Sequence, residues 1–238
     1  MTVYRLDKLI SDFSDHSRRE AADMIKSGQV RVDRLICRDP ARKFPLSGIS
    51  LMLKDELLPL REDNTLLLYK PAGYLSSPGE KGGPTVLELI ARADRYPAFN
   101  PAGRLDKDTT GLLLLTSDGD YCHRIISPKS KIYKTYRFTL TKPLDEEDIR
   151  LIAEGITLEN GEHCLPGRLS IPASGNGYTG ELMICEGKYH QVKRMMQALG
   201  KPLLSLHRHA IGSLTLPAGL NPGEYLRLGP EEKSLVFK

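Results

Sequence analysis

Gly103-Arg104-Leu105-Asp106-Lys107-Asp108-Thr109-Thr110-Gly111-Leu112-Leu113-Leu114-Leu115-Thr116-Ser117-Asp118-Gly119 joins a polar, glycine-bounded loop to a continuous apolar run. Leu112 to Leu115, followed by the turn signal Ser117-Asp118-Gly119, has the length and flanks of a buried strand. Arg104 and Asp106 stand two apart between Gly103 and Gly111, and glycine permits close approach of a ligand to the backbone. Reactive side chains often sit on loops carried by rigid strands. The same residues also suit a β-turn whose Asp and Thr side chains bond their own backbone. The segment alone leaves both readings open.

The surrounding chain narrows them. Its 238 residues suit one large domain or two smaller ones. Trp is absent and aromatic residues make up 6%, so the core must be built from aliphatic side chains. Cys37, Cys122, Cys164 and Cys185 form no Cys-x-x-Cys pair, which leaves neither a metal nor a disulfide pattern and reads as reduced, half-buried thiols. No apolar run approaches the roughly 18 residues of a membrane span. At the N-terminus Leu9-Ile10 is followed at once by Ser11-Asp12, unlike a signal peptide. A cytoplasmic monomer with no metal and no cofactor is the expectation.

Charge is unevenly distributed although the net value is only +4. Tyr121 to Leu144 contains six Lys/Arg and no acid, and Gly187 to Gly223 contains five Lys/Arg, three histidines and no acid. Between them, Pro143 to Glu186 carries nine acids against two arginines. Such segregation suits one face made for a polyanion and another that is merely solvated.

The first sixty residues have the pattern of a small module. Leu6, Leu9, Ile10 and Phe13 fall at helical spacing. Ser17-Arg18-Arg19-Glu20 is a capping box opening a second helix through Ala21, Ala22, Met24 and Ile25, which Gly28 can close. Val30-Arg31-Val32 and Ile49 to Leu53 read as strands, giving an α-α-β-β unit. Residues 17 to 43 hold eight Lys/Arg against four acids. Arg5-Leu6-Asp7-Lys8-Leu9-Ile10, Ser17-Arg18-Arg19 and Ile25 to Asp33 resemble the S4-type RNA-binding module, named after a small-subunit ribosomal protein. The resemblance implies recognition of RNA phosphates and shape, with Arg5, Lys8, Arg18, Arg19, Lys26 and Arg31 as contacts. A packing appendage is the alternative.

Leu60 to Asn64 reads as a linker, which sets boundaries at 1–60 and 61–238. Beyond it, Thr65 to Tyr69 reads as a strand and Ser76 to Pro84 as a mobile loop. Thr85-Val86-Leu87-Glu88 reads as a capping box opening a helix. Helices are expected over Asp120 to Ile126, Asp145 to Glu154 and His190 to Leu199. Strands are expected over Lys131 to Thr141, Thr179 to Cys185, Leu203 to Leu206, Ser213 to Leu216 and Tyr225 to Leu228. Asn160-Gly161 signals a hairpin. Many strands without regular βαβ alternation indicate α+β, with a mixed, largely antiparallel sheet flanked by helices.

Three features carry chemistry: Asp106 in its loop, Tyr136 in Lys134-Thr135-Tyr136, and the basic run Lys188 to Arg194 at a helix start. Tyr136 could equally pack its ring as a strand residue, and Lys193 could be a solvated helix residue. The phosphate-binding Gly-x-x-x-x-Gly-Lys, the dinucleotide Gly-x-Gly-x-x-Gly and the zinc deaminase signature are missing. Cofactor-free carboxylate chemistry on a nucleic acid remains.

Gly103-Arg104-Leu105-Asp106-x-x-Thr109-x-Gly111-Leu112 with Thr116-x-Asp118-Gly119 resembles the signature of bacterial RNA pseudouridine synthases. Lys134-Thr135-Tyr136, Glu186 to Met195, Leu206-His207-Arg208 and Pro222-Gly223-Glu224-Tyr225 are similar to the branch that modifies small-subunit ribosomal RNA. The resemblance spans essentially the whole chain. It implies a carboxylate, Asp106, acting at the ribose anomeric carbon of a flipped uridine, with Tyr136 stacking on the uracil and Lys193 pairing with Asp106. Arg104 would fill the emptied stack, while Lys134, Arg194 and Arg208 would bind substrate. Many relatives carry Arg where Lys193 stands, so Arg194 is a candidate to share the pairing. The implied target is 16S rRNA, at uridine 516, as RNA or within an assembly intermediate. A sister enzyme of 23S rRNA and a non-catalytic ribosome-assembly protein are the alternatives.

Overall fold

The computed structural model describes residues 3–46, 48–60, 65–77, 82–91, 94–95, 99–172 and 177–238. The expected linker at 61–64 and positions 78–81 of the Ser76–Pro84 loop lie outside the described residues. The chain folds into two compact units. The described residues of 1–64 and 90–99 form one, and those of 65–89 and 100–238 the other.

The N-terminal unit runs β1 (Val3–Arg5), α1 (Leu6–Phe13), α2 (Arg18–Lys26), β2 (Val30–Val32), β3 (Leu35–Ile36), β4 (Lys43–Pro45), β5 (Leu51–Leu53) and β6 (Glu56–Leu58). Its core is aliphatic: Leu6, Leu9, Ile10, Ala21, Ile25, Val30 and Leu51 are all buried. The Ser17 hydroxyl accepts the Glu20 amide and the Glu20 carboxylate accepts the Ser17 amide, which forms the expected capping box. Gly28 ends α2 at φ +82°, a left-handed position suited to glycine. The α-α-β-β core is present within a larger set of strands. β1 pairs with β4, and β3-β2-β5-β6 form an antiparallel sheet. β1, β4 and β6 span three residues each, too few for an alternation to register.

The C-terminal unit runs β7 (Thr65–Lys70), a 3-10 turn (Val86–Leu89), β8 (Asn100–Pro101), β9 (Thr110–Thr116), α3 (Gly119–Ile126), a 3-10 turn (Pro128–Ser130), β10 (Lys134–Leu140), α4 (Glu146–Glu154), β11 (Arg168–Ser170), β12 (Thr179–Ile184), α5 (Gln191–Ala198), β13 (Leu203–Ile211), β14 (Leu214–Thr215), β15 (Tyr225–Arg227) and α6 (Pro230–Leu235). The sheet order is β11-β12-β10-β13-β9-β7-β15, with β14 on β13 and β8 on β9. The β13–β9 pair is parallel and the other described ladders of this sheet are antiparallel. Leu112 to Leu115 are buried in the middle of the sheet, as the apolar run requires.

Local expectations fail in three places. Thr85 to Glu88 forms only a 3-10 turn, in which the Glu88 carboxylate accepts the Thr85 amide at 2.7 Å. Asn160-Gly161 makes a tight turn closed by the single bridge Thr157–His163 rather than a laddered hairpin. β13 continues well past Leu206 through His207-Arg208-His209, because its neighbours β10 and β9 supply partners on both edges.

That central strand fixes the loop ahead of β9. A side chain at Gly111 (φ +113°) would place Cβ 2.3 Å from the Arg208 carbonyl oxygen and 2.7 Å from its nitrogen. The fully buried Arg208 guanidinium donates to the carbonyl oxygens of Leu112 (2.8 Å) and Gly103 (2.9 Å). Lys70 Nζ, equally buried, donates to those of Thr109 (2.8 Å), Pro71 (3.0 Å) and Lys107 (3.2 Å). Ser76 Oγ accepts the Leu105 amide and donates to the Leu105 carbonyl. Thr110 Oγ1 meets His207 Nδ1 at 2.9 Å.

Two outcomes follow. Gly111→Ala should destabilise this unit by about 3 kcal/mol or more, read as a lowered urea midpoint, since the new methyl group meets the Arg208 backbone at a positive φ. Burial draws the Lys70 ammonium down to about 8, against weaker opposition from Asp108 and Asp106. The unfolded chain then binds more protons between that value and the ordinary lysine range, so Lys70 makes stability rise with pH there. Lys70→Met should remove a rise of at most about 3 kcal/mol, measured as the pH slope of unfolding free energy above pH 8 relative to the parent.

Candidate active site

Asp106 sits at the end of the braced loop, its side chain 24% exposed. Lys193 Nζ lies 3.1 Å from its Oδ2, and His190 Nε2 lies 3.4 Å from its Oδ1. Both partners come from the start of α5, whose N-terminal dipole also favours a nearby carboxylate. His190 is the N-cap residue and occupies the left-handed region at φ +48°. The Gly187–His190 approach is pinned from below. Gln191 Oε1 accepts the Lys188 amide, Gln191 Nε2 donates to buried Glu186, and Arg194 donates to the Tyr189 carbonyl.

Lys193 is shared. Its ammonium also reaches Asp108 Oδ1 at 2.6 Å. Burial alone would lower the Lys193 pKa, but the hydrogen bonds to Asp108 and Asp106 outweigh it and leave it raised. Asp108 shows the mirror case: burial would raise it, and the bond from Lys193 holds it below the ordinary carboxylate range. The site therefore holds a fixed cation between two carboxylates, one half-buried and one exposed.

Tyr136 is buried on β10. Its register partner is Arg208, whose own partner on β9 is Gly111. The tyrosine thus lies in the same cross-sheet row as the loop's glycine, two strands away, or about 10 Å between Cα atoms at ordinary strand spacing.

The structure brings Asp106 and Lys193 together as expected, and leaves Arg104 exposed. Three expected substrate-binding side chains are committed elsewhere. Lys134 is buried, donates to the Ile125 carbonyl at 3.0 Å, and is drawn down to about 8 by burial. Arg208 is spent inside the sheet on loop carbonyls. Arg194 neither shares the pairing with Asp106 nor faces solvent freely: it bonds Glu162 (2.9 Å) and Asn160 (2.6 Å). Burial explains Lys134 and Arg208, since a cation removed from water takes whatever acceptors its neighbours offer; half-buried Arg194 is held by the acidic turn that faces it. Asp108, His190, Lys70 and Ser76 went unassigned from sequence. Asp108, two residues from Asp106 in one loop, and His190, inside the basic run at the helix start, lay in stretches already singled out, whereas Lys70 and Ser76 carried no local signal.

In the N-terminal unit Arg5 and Arg18 converge on Asp7 (2.7 and 3.4 Å), and the Arg5 hydrogen bond chiefly holds that buried carboxyl below its ordinary range. Lys8 pairs with Asp12 and Arg31 with Asp55, while Arg19 and Lys26 are exposed. A cleft of about 540 Å³ on β10, β12 and β13 is lined by Arg137, Thr139, Glu181 and His207, and by none of Asp106, Tyr136 or Lys193. Among the described residues, no three His, Cys, Asp or Glu side chains converge as metal donors. No helix among them is long and apolar enough to cross a membrane.

Residues 64–198 match the RNA pseudouridylate synthase family and residues 5–46 match the S4 domain. An uncharacterized RNA pseudouridine synthase of Bacillus subtilis is 38% identical over 234 residues, covering 98% of each chain. The ribosomal small subunit pseudouridine synthase A of Vibrio vulnificus is 39% identical over 235 residues, covering 98% of this chain and 100% of that one. Its Escherichia coli namesake is 38% identical over 235 residues, with 98% and 99% covered. A crystal structure of a pseudouridylate synthase superposes with a TM-score of 0.67 at 37% identity, covering 98% of this chain and 99% of that one. With its signature loop, its fold and whole-length relatives in agreement, this chain belongs to the RNA pseudouridylate synthase family and carries an S4 domain ahead of the synthase domain.

Proposed function

We propose that the protein converts one uridine of 16S ribosomal RNA to pseudouridine, with uridine 516 as the target and Asp106 as the essential carboxylate. The observation that carries this reading is the contact of Asp106 with Lys193 and His190 at the end of a loop clamped by buried cations. Whole-length relatives bearing the small-subunit name favour that substrate over 23S rRNA. The domain boundary near residue 60 is part of the same reading, as is action in the cytoplasm by a monomer on rRNA or on an assembly intermediate of the small subunit.

The reaction breaks the bond between the ribose anomeric carbon and N1 of uracil and makes one from the same carbon to C5. N1 gains a proton and C5 loses one, so the reaction is an isomerisation. In this scheme Asp106 stays ionised beside Lys193 and acts at the anomeric carbon, which requires a carboxylate held in one geometry. Tyr136 offers its ring to the uracil and lies on the strand best placed to assist removal of the C5 proton. Arg104, exposed on the same loop, occupies the stack that the flipped uridine vacates.

Tritium release from RNA labelled at uracil C5 tests the assignment. Release is expected from 16S and not from 23S transcripts; the reverse pattern selects the sister activity. Asp106→Asn should abolish release while RNA affinity holds, and sustained turnover would remove Asp106 from its role. Lys193→Met should lower kcat more than Lys193→Arg does, because arginine keeps the charge. Deleting residues 1–60 should weaken RNA binding and flatten its dependence on salt, since fewer phosphates are neutralised.

A further inference from the structure

One surface feature at the site has no part in the chemistry above. Tyr189 is 70% exposed, the second most exposed of the large apolar side chains described, behind Leu35. Its ring lies on the His190 imidazole, with centroids 3.8 Å apart and planes within 18°. His190 in turn lies 3.4 Å from Asp106. One face of a flat ring is therefore backed by the active site, and the ring itself stands open to solvent.

The pair is not a loose loop tip. His190 holds a left-handed backbone (φ +48°, ψ 34°) that costs a residue other than glycine energy and is held by its surroundings. Arg194 holds the Tyr189 carbonyl at 3.2 Å, Gln191 holds the Lys188 amide, and Glu186 anchors Gln191 from the core. Arg194 is itself set by Asn160 and Glu162 on the neighbouring turn. A strained, hydrogen-bonded scaffold that presents an exposed aromatic ring beside a catalytic carboxylate has the design of a stacking platform. Packing gives no reason for it, because so exposed a ring contributes little burial. The acid-free run Gly187 to Gly223 around it suits an RNA backbone.

We infer that the Tyr189–His190 stack is a platform for the base of a nucleotide flanking the flipped uridine, and so a substrate-positioning site of the enzyme. The inference rests on the proposed RNA substrate. Flipping a uridine leaves its neighbour with one face unstacked, and an aromatic ring accepts any base face without hydrogen-bond readout. The platform would hold the strand next to Asp106 while Arg104 fills the gap inside it. Affinity from stacking should be nearly independent of salt, in contrast to phosphate contacts.

The test uses the full-length protein and a 16S transcript fragment spanning the target, with 2-aminopurine in turn at the nucleotides on either side of it. The parent should quench one of the two positions on binding. Tyr189→Ala should lose that quenching and raise KM by roughly 5- to 100-fold with a smaller change in kcat, as expected for the loss of one stacked base. Tyr189→Phe should behave as the parent, and Tyr189→Leu, apolar but without a π face, should behave as Tyr189→Ala. Equal quenching and KM in parent and Tyr189→Ala, or rescue by Tyr189→Leu, would overturn the platform. Because quenching needs binding and not turnover, it judges the platform even with a parent that releases no tritium. That second result would count against the proposed reaction alone.

Discussion

Two buried cations bonded to backbone carbonyl oxygens hold the loop between Gly103 and Gly111 in place. Arg208 and Lys70 are fully buried, and the bonds they make in the loop region are to backbone carbonyl oxygens: Gly103, Leu112, Pro71, Lys107 and Thr109. Removing such groups from water is costly, and hydrogen bonds from a charged donor return on the order of 1.5–3 kcal/mol each. The arrangement is stable only while all of those carbonyls converge. Its consequence is a loop with one conformation, bracketed by Gly103 and Gly111 and fastened further by Ser76. A carboxylate on a loop of this kind keeps its position without rearrangement, which is what positioning requires in a reaction sensitive to errors near 1 Å.

The electrostatics of the site build on that rigidity. Asp106 is contacted from one side by the start of α5, where Lys193 and the histidine at the N-cap arrive together. Asp108 draws the same lysine outward at 2.6 Å, so the ammonium spans the two carboxylates and does not collapse onto one. Burial opposes the charge on Lys193, but its hydrogen bonds to Asp108 and Asp106 outweigh that and raise its pKa, so Asp106 keeps an ammonium beside it. Lysine serves here as a point charge that reaches both carboxylates.

In the N-terminal unit a similar economy operates at smaller scale. Asp7 is buried at the start of α1 and takes Arg5 and Arg18, tying β1, α1 and α2 together. Two of the arginines expected to face RNA thereby also hold the module's shape. Arg19 and Lys26 are left to present charge on the exposed side of α2.

The sequence by itself determined the elements whose forces are local. The leucine run of β9, the capping box at Ser17, the helix near Asp145 to Glu154 and the glycine closing α2 could all be read from spacing, because each depends on neighbours a few residues away. The loop signature likewise singled out Asp106 and, through a distant motif, its partner Lys193. Tertiary structure alone decided what became of the other basic residues. Lys134, Arg194 and Arg208 look alike in sequence, yet one ends beneath a helix carbonyl, one on an acidic turn and one inside the sheet. Nothing local distinguishes them, since whether a charged side chain meets phosphate or carbonyl depends on which strands lie beside it, and those strands come from up to a hundred residues away.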